Sequence, residues 1–306
     1  MTKELSGAQY AAKKYMEATV SKPQMLMEFL MQELYGTSRN HVKDLLRGHG
    51  IHVNQILVTQ YDYQLNVGDV VRISKHKRST ELTNRWVKIL YEDKHIIVIH
   101  KTEGILSMAS SPDQECVKSI LDAYFTRRHF KCHAHVVHRL DRETSGLMIY
   151  AKSIEAAQIL ERQWKELVYD RRYVALLCGE MSQEGGTIRS WLKDNKAFVT
   201  YSSPTDNGGK EAVTHYRRLQ SANGFTLAEM KLDTGRKNQI RVHMQDLGYP
   251  VAGDSKYGNG CNPLGRLALH AYRLHFYHPL TGEPMAFETP FPTPFVRFFQ
   301  RHSKTH

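Results

Sequence analysis

Strand-length apolar runs separated by tight turns recur through most of this chain, and such a chain has few options other than a sheet built largely from hairpins. Trp86–Tyr91 and His95–His100 flank the polar triplet Glu92-Asp93-Lys94, and Arg172–Cys178 reads as a buried strand. Asn207-Gly-Gly209 and Asn223-Gly224 supply further hairpin signals, the second lying between the runs around Thr214–Leu219 and Phe225–Leu232; Asn and Gly tolerate the positive φ values that two-residue hairpin turns require. Helical patterns are fewer. Val117, Ile120, Leu121, Tyr124 and Phe125 keep helical spacing, and a second run follows the capping residue Ser153 with Ile159, Leu160, Trp164 and Leu167 inside it. Short connections favour antiparallel pairing over a doubly wound parallel sheet. The expected fold class is therefore α+β: a mixed, mainly antiparallel sheet with helices packed on it.

The first quarter is organised differently. Leu26, Phe29, Leu30 and Leu34 recur at helical spacing from Pro23 onward, and a second short helix is expected from the N-cap Ser38 to Gly48 or Gly50. On that second helix Val42, Leu45 and Leu46 form an apolar face, while Arg39, Lys43 and Arg47, four apart, form a basic stripe beside it. Ile51 and Val53, a turn at Asn54-Gln55, Ile56–Val58 and Val67–Ile73 read as short strands. The polar, basic stretch that follows has no periodicity and reads as a linker. The expected organisation is an extension over residues 1–19, a small α/β module over 20–75, a linker over 76–85 and a larger domain over 86–306.

With 42 Lys and Arg against 31 Asp and Glu, the chain carries a formal charge of +11. A positive field of that size raises the local concentration of polyanions such as RNA, although charge alone would equally suit a membrane-surface protein or a soluble basic enzyme. No apolar stretch is long enough to cross a membrane as a helix, and the N-terminus lacks the apolar core of a secretory signal; a cytoplasmic monomer is expected. Cys116, Cys132, Cys178 and Cys261 form no Cys-x-x-Cys pair, which suits free buried thiols in a reducing compartment. His133 and His135 share one face of an extended segment with His138 nearby, but no acid or cysteine completes a ligand set, so no metal is expected.

The densest polar cluster is His138-Arg-Leu-Asp-Arg-Glu-Thr-Ser-Gly146, between Val136-Val137 and the strand-like Leu147–Ala151. A loop held by rigid elements is where function concentrates, and arginines flanking Asp141 favour its ionised form. Read alone, Asp141 could equally be a turn or capping residue.

HRLDRETSG resembles the His-Arg-Leu-Asp-x-x-Thr-Ser-Gly signature of the RluA-type pseudouridine synthases. Further matches follow in order at Lys101–Gly104, Arg172–Gly179, Thr234–His243, Gly253–Gly258 and Arg266–Ala271, running to His278-Pro279. Thr102 stands where that family usually has proline, and Asn238 where it commonly has histidine. The segment SRNHVKDLLRGHGIHVNQILVTQYDYQLNVGDVVRI resembles the small RNA-binding module of ribosomal small-subunit protein four, with Gln55 in place of the usual glycine.

The first resemblance implies isomerisation of uridine within RNA, without cofactor or metal: the glycosidic bond breaks, the uracil rotates, and its carbon-5 joins the ribose. It implies Asp141 as the essential carboxylate, leaving open attack on the sugar, attack on the base, or elimination to a glycal. Arg241 is implied as the cation paired with Asp141, and Tyr173 as the active-site tyrosine, against the alternatives of a surface helix arginine and a core tyrosine. Lys237 is expected four residues before Arg241 on one helix, with Ile240, Met244 and Leu247 on its packed face. Because a base in folded RNA must be extruded to reach a carboxylate, Arg139 is a candidate to brace the gap, with a structural ion pair as its alternative. Ile240 is a candidate to pack on the uracil or simply in the core. Arg39, Lys43 and Arg47 are candidates for phosphate contacts. Large-subunit ribosomal RNA is the expected substrate, with transfer RNA as the alternative. A non-catalytic RNA-binding assembly factor is the rival class, and a metal-dependent nuclease or deaminase lacks the acids or Cys/His set it needs.

Overall fold

The computed structural model describes residues 15–47, 50–58, 60–74, 82, 84–109, 111 and 114–302. The first part opens with β1 (Tyr15–Thr19) and β2 (Gln24–Met25), followed by the helices α1 (Leu26–Glu33) and α2 (Arg39–Arg47), then β3 (Ile51–Val53), β4 (Ile56–Leu57), β5 (Gln64–Leu65) and β6 (Val70–Ser74). The Ser38 hydroxyl accepts the His41 N–H at 3.2 Å and caps α2. Leu26, Leu30, Val42, Leu46, Ile51 and Ile73 are buried together. β1 pairs antiparallel with β6, so Tyr15–Thr19, assigned above to the extension, belong to this sheet.

Asn54 and Gln55 both have positive φ, 48° and 71°, so the β3–β4 turn keeps the left-handed geometry that a glycine at 55 would adopt without strain. The Asn54 side chain locks it, donating to Asp69 at 2.7 Å and accepting from the Val70 N–H at 2.9 Å.

The larger part runs through β7 (Val87–Glu92), β8 (Ile96–Lys101), α3 (Val117–Arg127), β9 (His135–Val136), β10 (Ser145–Ala151), α4 (Ile154–Arg162), α5 (Trp164–Leu167), β11 (Asp170–Cys178), β12 (Gly185–Asp194), β13 (Thr200–Ser203), β14 (Lys210–Ala222), β15 (Phe225–Leu232), α6 (Gln239–Asp246), β16 (Leu269–Tyr277), β17 (Pro284–Glu288) and α7 (Thr293–His302). Its sheet follows the order β17-β16-β11-β15-β14-β12-β13, with β10 also on β16, β8 and β9 on β10, and β7 on β8. Pairing is antiparallel except between β10 and β16 and at the single Ala286–Ile56 pair of β17 with β4. The architecture is the expected mixed, mainly antiparallel sheet. Val117, Leu121 and Phe125 bury one face of α3 in the main core. Leu82, within the expected linker, is buried in that core as well, while residues 76–81 and 83 lie outside the described residues.

Gly146 fixes the one extended parallel contact. Its φ is +128°, and a Cβ there would lie 2.2 Å from the Ala271 carbonyl oxygen. Only glycine lets the start of β10 lie against β16 this closely.

Three further expectations need correction. The Asn223-Gly224 turn joins neighbouring strands β14 and β15, but the Asn207–Gly209 turn does not: β12 lies between β13 and β14 and pairs with both. Turn residues reverse the chain without naming its partner. Cys178 and Cys261 form a disulfide, and only Cys116 and Cys132 are free; the pair is separated by 83 residues and meets because the end of β11 lies beside the loop before β16. Lys237 precedes α6 instead of lying on it, because Asn238 takes a left-handed φ of 53° at the helix start. No helix among the described residues is long and apolar enough to cross a membrane.

Candidate active site

Asp141 lies on the loop between β9 and β10, half-buried, and the backbone on either side of it is tied down. The Ser107 hydroxyl donates to the Leu140 carbonyl at 2.7 Å and accepts the Leu140 N–H at 3.1 Å. On the other side, the Lys101 ammonium donates to the Arg142 carbonyl at 3.0 Å and to that of Thr102 at 2.9 Å. Lys101 is fully buried; burial draws its pKa down to about 8 against the opposing pull of Glu143, Asp141 and Glu103. It remains protonated at neutral pH, as its donor role requires. Thr144 closes the turn by donating its N–H to the Asp141 carbonyl at 3.1 Å.

Arg241 arrives from α6 with its guanidinium buried. Nε and Nη2 each donate to Asp254 at 2.7 Å, Nη1 donates to Asn238 Oδ1 at 3.3 Å, and the same Nη1 lies 3.4 Å from Asp141 Oδ2. Asp254, whose side chain is 0% exposed, also accepts the N–H groups of Lys256 and Tyr257, both at 2.9 Å. Burial works against charge on Arg241, yet the bonds and charge of Asp254, with Asp141 behind them, hold its pKa above the ordinary value. Asp254 thus satisfies most of the guanidinium, and Asp141 receives a fixed positive charge at a longer, looser distance. A carboxylate held this way keeps its lone pairs available for chemistry.

Asn238, in the position that is commonly histidine in the resembled family, takes part in the same network. It donates to the Tyr257 hydroxyl at 3.0 Å while accepting from Arg241, and the Arg241 guanidinium lies 5.1 Å from the centroid of the Tyr257 ring. The substitution leaves neither neighbour without a partner here.

Tyr173, buried on β11, faces the same space. Burial raises its pKa, and Asp141 raises it further against the lowering effect of Arg171, so the phenol stays protonated. A cavity of about 50 Å³ is lined by Asp141, Tyr173, Arg241, Ile240 and Arg139, with Leu232 and Leu269 as further apolar walls. It adjoins a larger one of about 500 Å³ that shares Asp141, Tyr173, Arg139, Leu232 and Arg236, a volume suited to a nucleotide-sized ligand. Five of the six candidates from the larger part of the chain therefore meet in one place. Lys237 reaches only the larger cavity; its ammonium is engaged by Asp194 at 2.8 Å and by the Phe198 carbonyl at 2.9 Å. Arg39 is exposed and Lys43 half-buried on α2, and neither lines these cavities, while the Arg47 side chain lies outside the described residues.

His138 is a structural member of the loop. Its ring packs 4.7 Å from that of Trp164 and accepts the Ile149 N–H at 3.0 Å, and burial, aided by Arg171, lowers its pKa to about 3. Asp254, Lys101 and Arg171 received no role from the sequence alone. Asp254 stands in the Gly253–Gly258 match, so its position was visible although its partner was not.

A family model for RNA pseudouridylate synthase matches residues 95–246, which span the Asp141 loop, Tyr173 and Arg241. YjbO of Bacillus subtilis (strain 168), described as an uncharacterized RNA pseudouridine synthase, is 37% identical over 84% of this chain and 92% of its own length. The chain belongs to the RNA pseudouridine synthase family. The ribosomal large subunit pseudouridine synthase D of Vibrio cholerae is 34% identical over 85% of both chains. Among solved structures, human RNA pseudouridylate synthase domain containing 4 superposes with a TM-score of 0.57 at 24% identity, covering 70% of this chain and 92% of that one, which shows the shared fold. As a pseudouridine synthase the protein is an isomerase acting on RNA.

Proposed function

We propose that this pseudouridine synthase isomerises uridine in large-subunit ribosomal RNA, with Asp141 as the catalytic carboxylate. The observation that carries the reading is the position of Asp141: on a braced loop, at the wall of a nucleotide-sized cavity, 3.4 Å from a guanidinium whose closer bonds go to Asp254. The Arg241 guanidinium faces Asp141 without occupying both its oxygens, and the looser contact leaves an oxygen free to act on the flipped nucleotide as nucleophile or base. The protonated Tyr173 offers a ring for the uracil to stack on and a hydroxyl beside the reacting sugar. Ile240 packs against the base, and Arg139, exposed at the mouth, braces the helix that the uridine leaves. The reaction is redox-neutral and moves no atoms in or out of the nucleotide apart from one exchanged proton, so it calls for no cofactor.

In the same proposal the α2 stripe of Arg39, Lys43 and Arg47 contacts phosphates and supplies affinity, while the cavity supplies the chemistry. Two considerations support ribosomal over transfer RNA: the resemblance of residues 20–75 to a ribosomal-protein module, and relatives named as large-subunit enzymes. A cytoplasmic monomer fits this role. The experiment is carbodiimide mapping of pseudouridines in ribosomal and transfer RNA from cells with and without the gene. The proposal expects at least one large-subunit site to vanish; loss confined to transfer RNA would redirect it.

A further inference from the structure

Arg171 lies two residues before Tyr173 on β11, and the two-residue period of a strand puts both side chains on the face that looks into the cavity. It lines the 500 Å³ space with Asp141 and also a neighbouring space of about 320 Å³ walled by Trp164, Lys165, Tyr169 and Lys231. Its guanidinium is half-buried and fixed. Nη2 donates to the Thr234 carbonyl at 3.1 Å, and the group lies 5.9 Å from the centroid of the Trp164 ring. A Cβ on Gly235 would sit 3.1 Å from Nη2 and 3.2 Å from Nη1, so the missing side chain at 235 leaves this guanidinium its room.

Among the described residues no carboxylate pairs with Arg171. Three of the other cations around the site are engaged, Arg241 with Asp254, Lys237 with Asp194 and Arg236 with the Glu211 carbonyl, while Arg139, Arg162 and Lys165 line the same space from exposed positions. The acids that line the same space are otherwise placed. Asp233 takes His215 at 2.8 Å, and Glu161 and Glu166 are exposed at the edge. A positioned cation with several unused N–H donors, in a cavity that also contains the Asp141 carboxyl group, fits an anion that must enter beside Asp141. A nucleotide flipped toward Asp141 brings such an anion in its own backbone.

We propose that Arg171 binds a phosphate of the RNA strand adjacent to the flipped uridine, with Lys165 at the rim and Trp164 as a surface for the neighbouring base. The assignment rests on the RNA-isomerase reading above. Arg171 is a substrate-binding residue, and it sets where the nucleotide sits relative to Asp141 and Tyr173.

The test is the affinity of the full chain for a uridine decanucleotide as a function of salt, compared between the parent, Arg171→Gln and Arg171→Lys, with tritium release from carbon-5-labelled RNA followed in parallel. Arg171→Gln is expected to bind about tenfold more weakly near 0.15 M salt, with a slope of log affinity against log salt shallower by about 0.7, the single-strand value for one lost phosphate contact. Arg171→Lys keeps the charge and the parent slope but loses the forked contact, so binding weakens only a few-fold. An unchanged slope in folded Arg171→Gln overturns the proposal. Should that variant fail to fold, parent affinity in Arg171→Lys overturns it instead. Absence of tritium release by the parent, with the slopes behaving as expected, would count against the isomerase reading while leaving Arg171 as a phosphate site.

Discussion

Replacing Asp254 by Asn separates the support of Arg241 from Asp141, the carboxylate proposed to react. Asp254 Oδ1 accepts Arg241 Nη2 and two backbone N–H groups, and Oδ2 accepts Arg241 Nε at 2.7 Å. An Asn side chain that keeps its oxygen at the Oδ1 position turns an NH2 group toward Nε, so one charge-assisted bond becomes a donor facing a donor. Neutralising one member of a buried ion pair costs ~3–5 kcal/mol, and because three of the four contacts survive, the lower end, ~3 kcal/mol, is expected. All three tryptophans, Trp86, Trp164 and Trp191, lie in the larger part of the chain, so urea unfolding followed by their fluorescence reads this cost. It also has a pH signature. Burial raises the Asp254 pKa, but the Arg241 bonds and the two backbone donors outweigh it and hold the carboxyl below its ordinary 3.8. A carboxylate with a lowered folded pKa contributes stability that is fully present above its unfolded pKa and is lost as the pH falls through its folded pKa. The gap between parent and variant should therefore be constant from about pH 7 to 5 and narrow below about pH 4. With Asp254 weakened, Arg241 turns toward Asp141, its remaining carboxylate partner, and turnover should fall about 10²-fold, as for an ångström-scale misplacement of a reacting group. A stability loss under ~1 kcal/mol, or a gap that does not narrow in acid, would refute this account of how the arginine is held.

Tyr173→Phe keeps the buried ring, so the urea midpoint should stay near that of the parent while tritium release drops; unchanged release would remove the hydroxyl from the chemistry. Gly253→Ala should be far more damaging than its size suggests, because Gly253 has a φ of +74° and a Cβ there would lie 1.9 Å from the Arg266 carbonyl oxygen. The loop bearing Asp254 would have to move, and a variant with parent stability and turnover would contradict that. His138 and His270, with pKa values lowered to about 3 by burial, and His100 and His243, lowered to about 4, are neutral in the folded protein. Because a histidine with a lowered folded pKa stabilises fully above about pH 6.5 and progressively less below it, unfolding near pH 5 should take up close to four protons from this set. Proton uptake of about two or fewer, from the pH dependence of the unfolding free energy, would mean that these rings charge in the folded state.

Much of the fold could be read from local pattern because its elements end on residues with specific backbone chemistry. Ser38 and Ser153 cap helices as their positions suggest, at 3.2 Å each, and Asn223-Gly224 adopts φ values of 56° and 77° at a true hairpin. The order of β12, β13 and β14 was not legible, since hydrophobic alternation specifies a face and not a neighbour. The disulfide was hidden for a related reason: Cys178 and Cys261 are brought together by tertiary packing alone. Lys237 shows a third limit. Its spacing from Arg241 suits one helix face, but the left-handed Asn238 starts α6 after it and sends the ammonium to Asp194. At the site, ordered motifs pointed to Asp141, Tyr173 and Arg241, which the fold brings together at one cavity. The division of labour between two aspartates on one arginine, and an Arg171 that has no carboxylate partner among the described residues, depend on distances that no spacing encodes.

The most direct test of the central claim is tritium release from ribosomal and transfer RNA labelled at uracil carbon-5, measured with the parent and with Asp141→Asn. That substitution retains the size of the side chain but removes the charge facing Arg241. Release by the parent and none by the folded, RNA-binding variant is the predicted result. Equal release by both would place the chemistry elsewhere than Asp141, and release by neither from either RNA would contradict the assignment of isomerase activity to this site on these substrates.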